Sequence, residues 1–415
     1  MLIVCQIVIV LLFVLFESEL GYLYPKLKVM AISLWEQSTY YAPKDVVIIG
    51  CGFVGLWTAY ELMHKNPKLN ITILERGVIP SGASTRNAGF SCFGSVSELM
   101  YDVQLMGEAN MLETVKMRYD GLQRIQKVFN KAEIEYDQFG GYELFEEGGP
   151  YDIRKLDEDI AYLNKVLAPV LKTPKKNGKY LPIYTNETKQ IKKLGFQKIN
   201  ALAFSPFEGQ LNSAKLVLAL QKAVQAKGVQ ILFNTEVKKF KSHAKGVSIK
   251  TNLEANLEAK QLLICTNGFA KQLLPTLDVV PARGQVFVTA PIPNLKFKGT
   301  FHFDEGFYYF RNVGNKLLLG GARNKDFKNE KTTSLETSKL IQKTLEEFMM
   351  KRILPKGSKK PKIELRWSGT MGMGTIKKPI IEQLQPNVYC AVRMSGMGVA
   401  IAPMVAQKTV QLMKH

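Results

Sequence analysis

The sequence predicts an α/β chain in which a parallel, dinucleotide-binding sheet is interleaved with a second, mainly antiparallel sheet. Three observations predict it. The β-branched run DVVIIG at 45–50 ends in glycine, helical spacing of Leu56, Ala59, Tyr60 and Met63 follows, and ITILE at 71–75 comes next. Strand, glycine turn, helix and strand make one βαβ unit of about 30 residues. SAKLVLALQKAVQAKG at 213–228 is an amphipathic helix closed by Gly228, and the strand-like VQILFNTEV comes after it. Finally, GQVFVTAPI at 284–292 and FYYFRNVGNKLLLGGA at 307–322 read as antiparallel strands, the latter a hairpin turning at VGN.

The remaining elements fill in around these. Residues 95–135 carry helical apolar spacing, QFGGYELFEE reads as strands or a hairpin, and a helix is expected around 152–167. LLICTNG at 262–268 is a buried strand ending at a turn, NVYCAVR at 387–393 is a last strand, and a helix runs from Val399 to Met413. The expected organisation is an apolar extension over 1–29 and one enzyme body over 40–415. Its nucleotide-binding segments are about 44–100, 200–280 and 363–415, and its substrate-domain segments about 101–199 and 281–362.

A formal charge of +20 raises the question of an anionic partner, but most of the basic residues are lysines, concentrated in places beside Pro and Gly such as Lys172, Lys175, Lys176 and Lys179. With no base-reading module or interleaved aromatic stripe, they read as solvated loops, and no nucleic-acid partner is expected. The five cysteines and four histidines show neither C-x-x-C nor metal-ligand spacing, so no metal is expected and a reducing compartment fits. The apolar run 1–16 is shorter than the roughly 20 residues of a spanning helix. The expectation is a cytoplasmic protein with membrane contact possible through that run.

The hexapeptide GCGFVG carries the strongest chemistry. Gly50 allows the tight turn, Gly52 lets backbone approach a pyrophosphate, and Gly55 lets the helix pack on the strand, while the helix N-terminus offers amide donors. Glu75, about twenty residues on at the end of the next strand, is placed to accept hydrogen bonds from ribose hydroxyls and disfavours a 2′-phosphate. This is a Rossmann-like unit. Downstream, SGASTRNAGF at 81–90 supplies small residues and hydroxyls for close backbone approach.

The span 45–90, together with PARGQ at 281–285, YYFRN at 308–312, RWSG at 366–369 and RMSGMG at 393–398, resembles the D-amino-acid oxidase and glycine oxidase superfamily. The resemblance covers most of the chain after residue 40. It implies non-covalent FAD, a sheet-floored substrate domain, and oxidation of an amine or amino acid at its carbon–nitrogen bond. Hydride would pass to flavin N5 and the imine would hydrolyse, with oxygen or a quinone as final acceptor.

By that resemblance Gly50, Gly52 and Gly55 hold the pyrophosphate and Glu75 the ribose. Arg76, Ser84, Thr85, Asn87 and Ala88 line the stretch to the flavin, Val237 meets adenine through its backbone, and Thr266 and Gly268 sit near the dinucleotide. Gly396, Met397 and Gly398 approach the flavin ring, where the last helix's N-terminus suits the negative charge of reduction. Arg311 is expected to bind a substrate carboxylate, with Tyr309 and Arg393 as further site candidates and Arg323 behind them. Tyr308 and Tyr309 alternate across a strand, so only one faces the flavin. KKPI at 377–380 departs from the acidic residue common before this Pro-Ile in the family, which points to a different substrate pocket. A 2-hydroxy-acid dehydrogenase on the same scaffold, or a flavin-binding module without turnover, are the alternatives.

Overall fold

The structure is a computed structural model that describes residues 31–253 and 256–413. The apolar extension expected over 1–29 lies outside the described residues.

Two eight-stranded sheets organise the chain. In the first, Gln230–Leu232, Ile71–Leu74, Lys44–Ile49, Asn256–Ile264 and Val388–Val392 lie side by side and parallel. Their β-branched, apolar sequences follow from burial on both faces. The hairpin Val237–His243 and Gly246–Thr251 joins the outer half of Asn256–Ile264, and Ile380–Gln385 pairs antiparallel with the last strand. On one face pack the helices Phe53–Lys65, Glu108–Val128, Ser213–Gln225 and Gly398–Leu412, burying Trp57, Leu62, Leu122, Leu216 and Val405.

The second sheet runs in the order Ile363–Met373, Val280–Thr289, Lys316–Gly321, Tyr308–Val313, Thr300–Phe303, Gly141–Phe145, Ala201–Ser205, Thr185–Asn186. All its pairings are antiparallel except Thr300–Phe303 on Gly141–Phe145. Its outer face is aromatic: Phe301 stacks on Phe310 at 4.8 Å and on Tyr142 at 4.7 Å, and the helix Lys339–Phe348 covers it. Ala201–Ser205 and Ile363–Met373 belong to this sheet, although they fall within segments expected to bind nucleotide.

The expected helices and strands appear within a few residues of their expected bounds, with the 95–135 stretch divided at Gly107 into Val96–Met106 and Glu108–Val128. The expected localisation, cytoplasmic with possible membrane association, is corrected: among the described residues no helix is long and apolar enough to cross a membrane. The apolar run on which that contact rested is outside them.

Candidate active site

All five parallel strands end at the same edge of the first sheet, so the turns after Ile49, Leu74, Leu232, Ile264 and Val392 converge there. This carboxyl edge is where open α/β sheets bind ligands. The tightest turn follows Ile49. Gly50 sits at φ 106°, and a Cβ on Gly55 would lie 2.1 Å from the Gly50 carbonyl oxygen, so helix and strand meet at a spacing only glycine permits. Gly52 is the N-cap of the helix, and the free end of that helix is met by Ser84, whose Oγ accepts from the Phe53 N–H at 2.9 Å.

Glu75 closes the second strand, buried, its two carboxylate oxygens accepting from the Cys51 N–H at 3.1 Å and the Gly77 N–H at 3.0 Å. It is thus fixed against the glycine turn. The Glu75 carbonyl accepts from the Thr235 N–H, which brings Val237 beside this corner. Arg76 lays its guanidinium 3.8 Å over the Phe269 ring. Thr85 and Asn87 build the next loop. Thr85 donates to the Pro80 carbonyl at 2.5 Å, while Asn87 donates to the Ala83 and Ser84 carbonyls and accepts from Gly89 N–H and Ser213. Their side chains shape the loop, leaving its backbone and the buried Ala88 to face the second sheet's strands.

The turn after Ile264 and the loop before the last helix are clamped together by Asn267. Its Oδ1 accepts from both the Arg393 and Met394 N–H groups, at 3.1 and 3.2 Å. Gly268 packs so closely on the Met371 carbonyl that a Cβ would lie 2.7 Å away. Gly396 approaches the same methionine, a Cβ there falling 3.6 Å from its sulfur, and Met397 and Gly398 open the final helix. Around this corner four buried hydroxyls, on Thr266, Ser368, Thr370 and Ser395, have no partner among the described residues.

The inner face of the second sheet completes the site. Tyr309 and Arg311 alternate onto it, while Tyr308 turns the other way and stacks 4.4 Å from Phe348. Arg311 is buried, its Nε lacks a partner among the described residues, and burial pulls its guanidinium down to about 10. It reaches Gly89, where a Cβ would lie 3.2 Å from its Nη2. Tyr309 runs over Gly320, its hydroxyl 3.5 Å from the Cβ that Gly284 lacks, and burial pushes its phenol up to about 12. Arg323 sits close enough to oppose that rise, with its guanidinium over Phe327.

Arg393, expected as a further site candidate, is ion-paired. Its guanidinium donates to Asp278 Oδ2 at 2.6 Å and to the Asp278 and Lys378 carbonyls. Lys377, in the departing KKPI stretch, reaches Asp102 at 2.8 Å and Glu98 at 3.2 Å beneath the helix Val96–Met106. Burial alone would raise the Glu98 carboxyl, but Lys377 and Arg118 outweigh it and hold it at about 2. Sequence reasoning missed His302 and Met371, which share this site's surroundings. Cross-strand register brings them in, and a run such as TFHF carries no signal of it.

The residues fit a bound dinucleotide: a glycine turn at a helix N-terminus, a fixed acidic residue on the adjacent strand, and orphaned hydroxyls along the path to the second sheet. Fold and site define a two-sheet FAD-binding oxidoreductase. The chain belongs to the family described as FAD dependent oxidoreductase, which matches residues 45–412, and FAD is its cofactor. It is 24% identical over 372 residues to the probable oxidoreductase OrdL of Haemophilus influenzae, covering 86% of this chain and 80% of that one. It is 25% identical over 246 residues to N-methyl-L-tryptophan oxidase of Yersinia pestis, covering 58% of this chain and 57% of that one. The fold is similar to that of L-proline dehydrogenase from P. horikoshii, with a TM-score of 0.70 at 19% identity over 89% of this chain and 93% of that one.

Proposed function

We propose that this chain oxidises an amine or amino acid at its carbon–nitrogen bond, giving an imine that hydrolyses in water. The observation that carries the reading is Arg311, a buried guanidinium with an unpartnered Nε on the same sheet face as Tyr309 and against the Gly89 backbone. A fixed, desolvated guanidinium of this kind is matched to a carboxylate, whose binding would satisfy the orphaned donor. Among the similar enzymes, N-methyl-L-tryptophan oxidase, L-proline dehydrogenase and glycine oxidase are named for amino-acid substrates, which supports the same class.

In this reading Gly50, Gly52, Gly55, Ser84 and Glu75 hold the dinucleotide, and Gly396, Met397 and Gly398 border the ring. FAD, when bound, supplies the hydride acceptor at N5. The protein's part is to orient and to exclude water: Arg311 fixes the carboxylate end, while Tyr309, Phe90 and Met371 confine the carbon to be oxidised. The final acceptor, in this reading, is oxygen or a quinone.

The test is anaerobic mixing of the holoenzyme with L-proline, glycine, N-methyl-L-tryptophan, polyamine derivatives and 2-hydroxy acids, following the visible flavin bands. Bleaching by one amine class supports the reading. Bleaching by 2-hydroxy acids alone would replace it with an alcohol dehydrogenase on this scaffold, and reduction only by dithionite would leave a flavin-binding module. Readmitting air or adding a soluble quinone then identifies the acceptor by which one restores the bands.

A further inference from the structure

Beside Tyr309 on the inner face of the second sheet lies a histidine that the reading above does not use. In the cross-strand register His302 stands directly opposite Tyr309 on one side and Glu143 on the other, and Tyr309 stands opposite Gly320. Residues paired in this way project to the same face. Phe90, on the loop beside the glycine turn's hydroxyl-rich stretch, packs against both rings, at 5.1 Å from His302 and 5.9 Å from Tyr309. The His302 ring makes no hydrogen bond to the protein among the described residues.

We propose that His302 accepts the proton that a substrate ammonium must lose before its carbon–nitrogen bond can be oxidised. The inference rests on the amine reading of the site. In the step, one substrate N–H bond breaks and one imidazole N–H bond forms. The electron pair stays on the substrate nitrogen, and nothing is oxidised or reduced. Hydride can leave carbon only when that pair is free to form the new carbon–nitrogen π bond.

The surroundings suit this role. His302 shares a cavity wall with Glu143, Glu208 and Tyr184, and Glu98 acts on it from the helix Val96–Met106, with Lys377 and Arg118 behind. Burial is the larger influence and pulls the imidazole down to about 4, while Glu98 pulls it up. Burial also raises Glu143 to about 7 and Glu208 to about 8, so near neutral pH Glu208 is mostly protonated and Glu143 partly so, while Glu98 is the carboxylate that stays fully charged. The ring is therefore neutral and able to accept before substrate arrives. An ammonium brought onto the same buried face loses hydration and becomes more acidic, which narrows the gap between donor and acceptor. Glu98, held ionised, then stabilises the imidazolium.

The experiment compares wild-type holoenzyme with His302→Asn and His302→Gln, using L-proline and N-methyl-L-tryptophan. At about pH 7, kcat/KM should fall by about 100-fold in both variants. The loss should shrink by about tenfold for each unit of added pH, because solution then supplies the neutral amine. Flavin content and melting temperature should match the wild type. A second reading needs no turnover: with ring-labelled histidine, the NMR signal missing from His302→Asn should stay neutral in the wild type from about pH 8 down to about pH 5.5. Variants with an unaltered pH profile, or a ring already charged at neutral pH, would overturn the inference alone. If neither amine bleaches wild-type flavin, the amine reading fails and this inference falls with it.

Discussion

Replacing Gly55 by alanine sets two effects of opposite sign against each other. Gly55 lies in the first turn of Phe53–Lys65. In an open helix, Gly→Ala would stabilise by roughly 0.8–1 kcal/mol through helix propensity. Here the new methyl would lie 2.1 Å from the Gly50 carbonyl oxygen and 3.2 Å from Ile48 Cγ2. The first contact is more than 1 Å inside the 3.4–4 Å of ordinary van der Waals contact, and it is with backbone, so no rotamer change relieves it. Overpacking of this kind costs typically 1–3 kcal/mol and here forces the helix off the glycine turn. The net expectation is destabilisation of up to about 2 kcal/mol, after subtracting the propensity gain, together with loss of most bound FAD. Gly82→Ala is the control, since nothing lies within 4 Å of its Cβ position. Urea unfolding with and without added FAD, and the visible-to-ultraviolet absorbance ratio of the purified proteins, measure both. A Gly55→Ala protein as stable as Gly82→Ala, with full flavin, would refute the packing argument.

Other outcomes follow from the same structure. Arg311→Leu should raise KM for carboxylate-bearing amines by at least about tenfold, matching a lost charge-assisted contact of 1.5–3 kcal/mol, and leave flavin content unchanged; steady-state kinetics on paired acid and decarboxylated substrates test it. Asn267→Ala removes the acceptor of two amides, and should cost about 1–3 kcal/mol in denaturant titration and weaken FAD retention. Glu208 is raised by burial to about 8, above its unfolded value, so the stability it contributes is full in acid and fades as pH rises through about 8. Unfolding free energy should therefore fall between about pH 4.5 and about pH 8 in the wild type and fall less in Glu208→Gln; parallel curves would contradict this.

The βαβ unit was legible because its signals are local. Glycine spacing, β-branched runs and the carboxylate at Glu75 all lie within some thirty residues, and the structure joins them through the Glu75 contact to the Cys51 N–H. The hairpin at 308–321 and the choice of one tyrosine were legible for the same reason, since alternation fixes which side chains share a face. What could not be read depends on partners distant in sequence. Arg393 looked like a free cation because Asp278 is 115 residues away. His302 looked like a lone histidine because its row is set by pairing with Tyr309 and Glu143. Ile363–Met373 runs polar at its outer end, and its eleven residues become a strand only by pairing along Val280–Thr289. Lys377 was noticed as a departure, but its burial against Glu98 and Asp102 required the helix above it.

The parallel sheet also sets a timetable for the chain's birth. Lys44–Ile49 at its centre pairs with Asn256–Ile264, which pairs with Val388–Val392, so neighbours in space are made far apart in time. At 5–20 residues per second, the ribosome needs roughly 6–25 seconds between Ile264 and Val388. During that interval the edge of Asn256–Ile264 has no final partner, and the Arg393 and Met394 amides that Asn267 gathers do not yet exist. A chain stopped before residue 388 would carry the whole glycine turn and still lack the last parallel strand and the final helix.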